Sequence, residues 1–120
     1  MQKALVLLST MLLVCLIATS CANASKIPQE LQTELDNYFE IIASIQPGIR
    51  EAKISSAEKV ANPQQGAAEG WCLVIDRPDA DQAAVYTHFF AQKIGGSWLV
   101  APQHGTFGQS TFEQNGCSNW

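Results

Sequence analysis

An almost unbroken apolar run from Ala4 to Ala18 most constrains what this chain can fold into. The single charge of Lys3 precedes it, and the small residues Thr19-Ser20-Cys21-Ala22-Asn23-Ala24 follow it. A basic start, a short apolar stretch and a small-residue exit have the form of a secretory signal peptide, which is removed from the mature chain. The run is about fifteen residues, below the roughly twenty that a helix needs to cross a bilayer. The expected division is therefore a leader over residues 1–24 and one domain over residues 25–120. About 96 to 100 residues make one compact domain and not two.

Two processing sites compete within this exit. Ala22-Asn23-Ala24 has the small-x-small form that a general signal peptidase accepts, which would start the mature chain at Ser25. Ala18-Thr19-Ser20-Cys21 resembles the lipobox of bacterial lipoproteins, with Ala18 where that family usually has leucine. The resemblance implies lipidation of Cys21 on sulfur, a leader of residues 1–20 and a lipid that holds the protein at a membrane. Each buried methylene would add about 0.8 kcal/mol, so several acyl chains anchor stably. Asn23-Ala24-Ser25 fits a glycosylation sequon in form but falls in the cleavage region.

Once the leader is gone, Cys72 and Cys117 are the remaining thiols, because Cys15 leaves with it and Cys21 is removed or lipidated. An even pair in an oxidising compartment reads as a disulfide. The long loop between them would contribute roughly 3 to 4 kcal/mol by the chain-entropy model. A redox-active pair would be close in sequence, as in C-x-x-C. The two histidines, His88 and His104, have no finger or knuckle spacing to these cysteines, so no metal site is expected. No motif points to a cofactor. Without Lys3 the domain holds six basic and eleven acidic residues, a net charge near −5, with no basic stripe. Nucleic acid is not an expected partner, since phosphate binding needs clustered lysine and arginine.

Leu31, Leu35, Tyr38, Ile42 and Ile45 recur at spacings of four, three, four and three, one face of an amphipathic helix. Pro28 suits its first turn, Glu30 and Glu34 favour its positive end, and Pro47-Gly48 stops it. Such a stripe can bind a partner or pack on the protein's own sheet, and a domain this small needs it for its core. From Ile49 the period changes. Ile49 to Val60 reads as a strand with a possible short helix from Ser56, Asn62 to Gly70 as a loop, and Trp71 to Asp76 as a strand. Pro78 forces a turn at Arg77-Pro78-Asp79-Ala80-Asp81. Ala83 to Ile94 reads as the longest strand, and Gly95-Gly96 as a hairpin turn into Ser97-Trp98-Leu99-Val100, with Pro102 ending the return. The tail from Gly105 is expected to add one more strand before Asn115-Gly116.

The expected fold class is thus α+β, with one amphipathic helix packed on a curved antiparallel sheet of three to five strands. This order, with Gly96-Ser97-Trp98-Leu99-Val100 in the late hairpin, resembles the cystatin-like architecture shared with the nuclear-transport-factor-like superfamily. The resemblance implies a ligand-binding module, of a kind found in small exported bacterial lipoproteins. Further helices usually precede the sheet in that superfamily, and without them a deep closed cavity is not implied. The Gln-x-Val-x-Gly loop of cystatin inhibitors is absent, which counts against an inhibitor.

Few residues carry chemistry. Asp76, Asp79 and Asp81 cluster on a turn that could ligate calcium, but they lack the spacing and closing glutamate of a calcium loop, and a solvated acidic turn is the plainer reading. His88 could serve as a base with one of these aspartates in a small hydrolase or isomerase, although no sequence neighbour orients it. His104 lies in a loop, and Ser110-Thr111 has no nucleophile context. Among the aromatic residues Trp71, Phe89, Phe90 and Trp98, strand alternation puts Phe89 and Phe90 on opposite faces, with Tyr86 and His88 on the side of Phe90. Tyr86, His88 and Phe90 then form an open binding patch, unless the C-terminal segment ending in Trp120 and pinned by Cys117 folds over it. The function these features favour is a non-enzymatic binding or accessory module at the cell envelope, taking a protein or a small apolar ligand. A soluble secreted enzyme or inhibitor with a pocket on the sheet is the alternative.

Overall fold

The computed structural model describes residues 27–120; the leader, Cys21 and both processing sites lie outside the described residues. The first helix, α1, spans Gln29–Ala43. Pro28 stands at its N-cap with extended backbone, and its carbonyl accepts the Gln32 N–H at 3.0 Å, opening the helical ladder. Leu31 and Leu35 are fully buried, and Tyr38, Phe39 and Ile42 pack on the same core. The stripe stops there. The helix ends at Ala43, so Ile45 leaves the face that its spacing shares with Ile42 and stands 83% exposed.

A 3-10 turn over Pro47–Glu51 follows, where a strand from Ile49 was expected. Pro47 presets the helical φ, Ile49 is buried beneath the turn, and the Ala52 N–H closes it on the Ile49 carbonyl at 3.0 Å. Four antiparallel strands then form a meander in sequence order: β1 Lys53–Lys59, β2 Ala67–Asp76, β3 His88–Ile94 and β4 Ser97–Gln103. The sheet is open, with β1 and β4 at its edges.

Both edges limit how far a further strand could pair. β1 carries a register shift between Ile54 and Ser56 and a lysine at each end, and β4 carries Pro102. Pro102 was expected to end its strand, yet it sits opposite Phe89 within the β3–β4 ladder. An edge strand tolerates the missing N–H. β2 begins four residues ahead of Trp71, because Gly70 belongs to the sheet: a Cβ there would lie 3.2 Å from Val60 Cγ2. Gly95 and Gly96 both take positive φ, 60° and 81°, which is the two-residue hairpin turn that the pair implies.

Side-chain alternation gives the sheet two faces. Ala57, Trp71, Leu73, Ile75, Phe89, Ala91 and Trp98 meet α1 in the larger core. Val60, Cys72 and Phe90 face the other way, toward a second helix, α2, over Gly105–Gln114. The sequence reading made this tail a strand. Gly105 (φ 68°) turns the chain out of β4, and Gly108 rests against the Gln103 backbone, where a Cβ would come within 2.8 Å. Phe112 is completely buried. The fold is α+β, with a helix on each face of an open four-stranded sheet.

Candidate functional site

A concavity of about 670 Å³ lies between α1 and the start of the edge strand β1. One wall is a stripe of α1, Gln32, Asp36, Phe39 and Glu40, whose spacing aligns them on one helical face. The other wall is the 3-10 turn and the first residues of β1, namely Ile49, Arg50, Ala52, Lys53 and Ile54. Phe39, Ile49 and Ile54 belong to the edge of the larger core, so the floor is apolar and continuous with the interior. The rim is charged in both signs. Glu40 meets Arg50 at 3.6 Å, and Asp36 accepts a hydrogen bond from Gln32 Nε2 at 2.9 Å. Lys53 forms no ion pair with another described residue, although Asp76 is its cross-strand neighbour. An apolar floor with a few polar groups at the rim, in the range of several hundred Å³, is the usual form of a ligand site.

Beside this groove stands a latch that the sequence did not reveal. The Arg77 side chain is buried, and its guanidinium grips the Asp79 carboxylate in a fork, Nε to Oδ1 at 2.6 Å and Nη2 to Oδ2 at 2.8 Å. Its remaining donors reach the Tyr86 carbonyl at 3.0 Å and Gln46 Oε1 at 3.3 Å. Gln46 Nε2 in turn donates to the Ala84 carbonyl at 3.0 Å. The hydrogen bonds from Arg77 hold the Asp79 carboxyl below the usual aspartate range. The latch ties the β2–β3 loop to the link after α1. It also explains why β3 begins at His88 rather than Ala83, since side chains take the Ala84 and Tyr86 carbonyls that a strand partner would need. Ala84 has φ 64°, outside the strand region.

Asp79 is therefore a partner of Arg77, while Asp76 and Asp81 are exposed. Among the described residues no three carboxylate, histidine or cysteine groups converge. Nor do the aspartates meet His88. Its Nδ1 lies 2.9 Å from Thr87 Oγ1, and its ring stacks on Trp120 with centroids 4.0 Å apart and meets Phe112 edge-on at 5.8 Å. Burial lowers the His88 pKa, with a hydrogen bond to the Trp120 backbone acting in the opposite direction. His104 is exposed and meets the Tyr86 ring edge-on at 5.7 Å. Ser110 and Thr111 lie on α2, with the Thr111 hydroxyl donating to the Phe107 carbonyl.

The outer face of the sheet is closed by the C-terminal segment. Cys72 and Cys117 stand at disulfide distance, 2.03 Å between sulfurs. Beyond Cys117 the chain runs back over the sheet. The Ser118 N–H and hydroxyl donate to the Glu58 carboxylate, and Asn119 Nδ2 donates to Ser56 Oγ and the Cys72 carbonyl. Tyr86, His88 and Phe90, grouped by strand alternation as a possible patch, do not share an open surface. Phe90 is buried in the outer core, His88 is half-buried under Trp120, and Tyr86 packs with the α1 core. Alternation from β3 fails at Tyr86 because the strand starts two residues later. No family model, curated protein or solved structure matches this chain.

The groove itself escaped the sequence reading. Its walls come from positions 32–40 and 49–54, whose mixed charges resemble any solvated surface until the fold places the two segments face to face. Phe39, adjacent to the stripe residue Tyr38, was the one available signal: a bulky apolar residue beside the core face of α1.

Proposed function

We propose that this chain is an exported, lipid-anchored, non-enzymatic binding module of the cell envelope that holds its ligand in the groove between α1 and β1. The observation that carries the reading is the groove, with its apolar floor of Phe39, Ile49 and Ile54 beneath a rim of mixed charge. The leader and the lipobox-like Ala18-Thr19-Ser20-Cys21 support export and anchoring. A cysteine pair at disulfide distance fits an oxidising compartment. A helix packed on an antiparallel sheet is compatible with the cystatin-like resemblance, whose members are ligand-binding modules with a minority of enzymes. The carboxylates at the groove are held in structural pairs, Glu40 with Arg50 and Asp36 with Gln32, which favours binding over acid–base work.

The test begins with the intact mass of the protein expressed in a bacterial host with its own leader. A diacyl or triacyl mass on Cys21 in the membrane fraction is expected, lost in Cys21→Ala, with two further thiols appearing only after reduction. A soluble chain starting at Ser25 overturns the anchor. For the groove, Ala52→Trp fills the cavity and is expected to abolish ligand-induced thermal stabilisation across a panel of peptides and fatty acids, with the fold retained by circular dichroism. Stabilisation undiminished by the filling overturns the assignment of the site.

A further inference from the structure

We propose that the groove takes an extended segment of a partner protein, added as a short fifth strand at the β1 edge, with an acidic side chain paired to Lys53. The inference rests on the binding-module reading and specifies its ligand. The β2–β3 side of the sheet fixes which backbone groups are free. Ile75 donates its N–H to the Thr87 carbonyl at 2.9 Å, so its hydrogen-bonding groups point toward β3. Ile54, opposite Ile75, therefore occupies a non-hydrogen-bonded pair, and its own N–H and C=O point out of the sheet edge at the wall of the groove. Backbone donors and acceptors beside an apolar floor match a polypeptide in extended form better than a purely apolar small molecule.

Length and charge narrow the occupant further. The α1 wall from Gln32 to Glu40 spans about 12 Å, room for about four extended residues. Alternate side chains of such a segment would reach the floor of Phe39, Ile49 and Ile54. On the rim, Glu40 is paired with Arg50 and Asp36 accepts a hydrogen bond from Gln32, which leaves Lys53 as the rim charge with neither an ion pair nor a side-chain hydrogen bond among the described residues. The groove thus asks for an acidic neighbour to an apolar residue. A second copy of this chain fits poorly, because antiparallel pairing of β1 with itself about Ser56 sets Lys53 opposite the other copy's Lys59. The register shift at Ser55 also limits any added strand to the first part of β1.

The experiment uses the oxidised mature domain and two fluorescein-labelled hexapeptides of alternating valine and threonine, one with a central aspartate and one with a central lysine. Anisotropy is expected to show the aspartate peptide binding about tenfold tighter than the lysine peptide. Lys53→Glu is expected to reverse that order, and amide hydrogen exchange at Ile54 to slow on binding. Methylating the central backbone nitrogen of the peptide should weaken binding if the strand pairs. No binding of the aspartate peptide up to about 1 mM, binding without protection at Ile54, or an order unchanged by Lys53→Glu overturns the proposal. Laurate serves as the apolar control. If laurate occupies the groove and neither peptide does, strand addition fails while the binding-module reading stands; if none of the three binds, both fail.

Discussion

Removing the Cys72–Cys117 link tests how far a small domain depends on one staple. The cysteines are 45 positions apart, and the loop-closure entropy removed from the unfolded chain corresponds to about 4 kcal/mol at 25 °C. Small domains have roughly 5–15 kcal/mol of stability in all, so Cys72→Ala with Cys117→Ala should remove a large share of it. Both sulfurs are buried and the native backbone need not move, so the entropic term should dominate. Urea unfolding of the oxidised protein and the double variant, followed by circular dichroism, is the assay. The expected result is a loss of about 4 kcal/mol, a melting temperature lower by roughly 15–30 °C, and a larger m-value, because the uncrosslinked chain exposes more surface. A loss under about 1 kcal/mol would refute the reasoning and show that the outer layer holds itself in place without the bond.

Two further predictions concern the outer face and the latch. Burial keeps the folded-state His88 pKa below its unfolded value, so its contribution to stability is complete above the unfolded pKa near 6.5 and declines as pH falls toward the folded pKa. His88→Phe, which can keep the stack on Trp120, should flatten stability between about pH 5 and 7; a wild-type slope that survives the change would exonerate His88. At Gly48 a Cβ would meet the Asp79 carboxylate at 2.5 Å, so Gly48→Ala must displace the fork that Arg77 holds. We expect a cost of about 1–3 kcal/mol by thermal unfolding. An unchanged melting temperature would mean that the latch yields freely.

The parts of this fold that were legible in the sequence have short-range signals. Leu31 and Leu35 mark α1 because a period of 3.6 residues is visible within a dozen positions. Gly95-Gly96 marks the hairpin because two adjacent positive φ values leave few other choices. The pairing of Cys72 with Cys117 was expected from parity, with Cys15 and Cys21 assigned to the expected leader and its exit. What stayed hidden depends on contacts between distant segments. α2 shows no apolar stripe, since Gly108 and Phe112 are its buried positions and Phe107 points outward at 85% exposure. Glycine at position 108 reads as a helix breaker, yet its lack of a side chain is what lets α2 lie against Gln103. Arg77 stands in a turn rich in aspartate, and only the fold shows its side chain buried under four hydrogen bonds. The groove belongs to the same class, because neither wall means anything without the other.

The position of Cys117 also sets a timetable for the chain. A polypeptide emerges from its N-terminus at about 5–20 residues per second, so Cys72 waits roughly 2–9 s before its partner appears. During that interval α1 and the four strands can already assemble on the inner face, while Phe90 and the Cys72 thiol face solvent. The segment from Gly105 to Trp120, which carries α2 and Cys117, supplies the cover of that outer layer and the partner of that thiol together. Without that segment Phe90 and the Cys72 sulfur lose their cover at the same time.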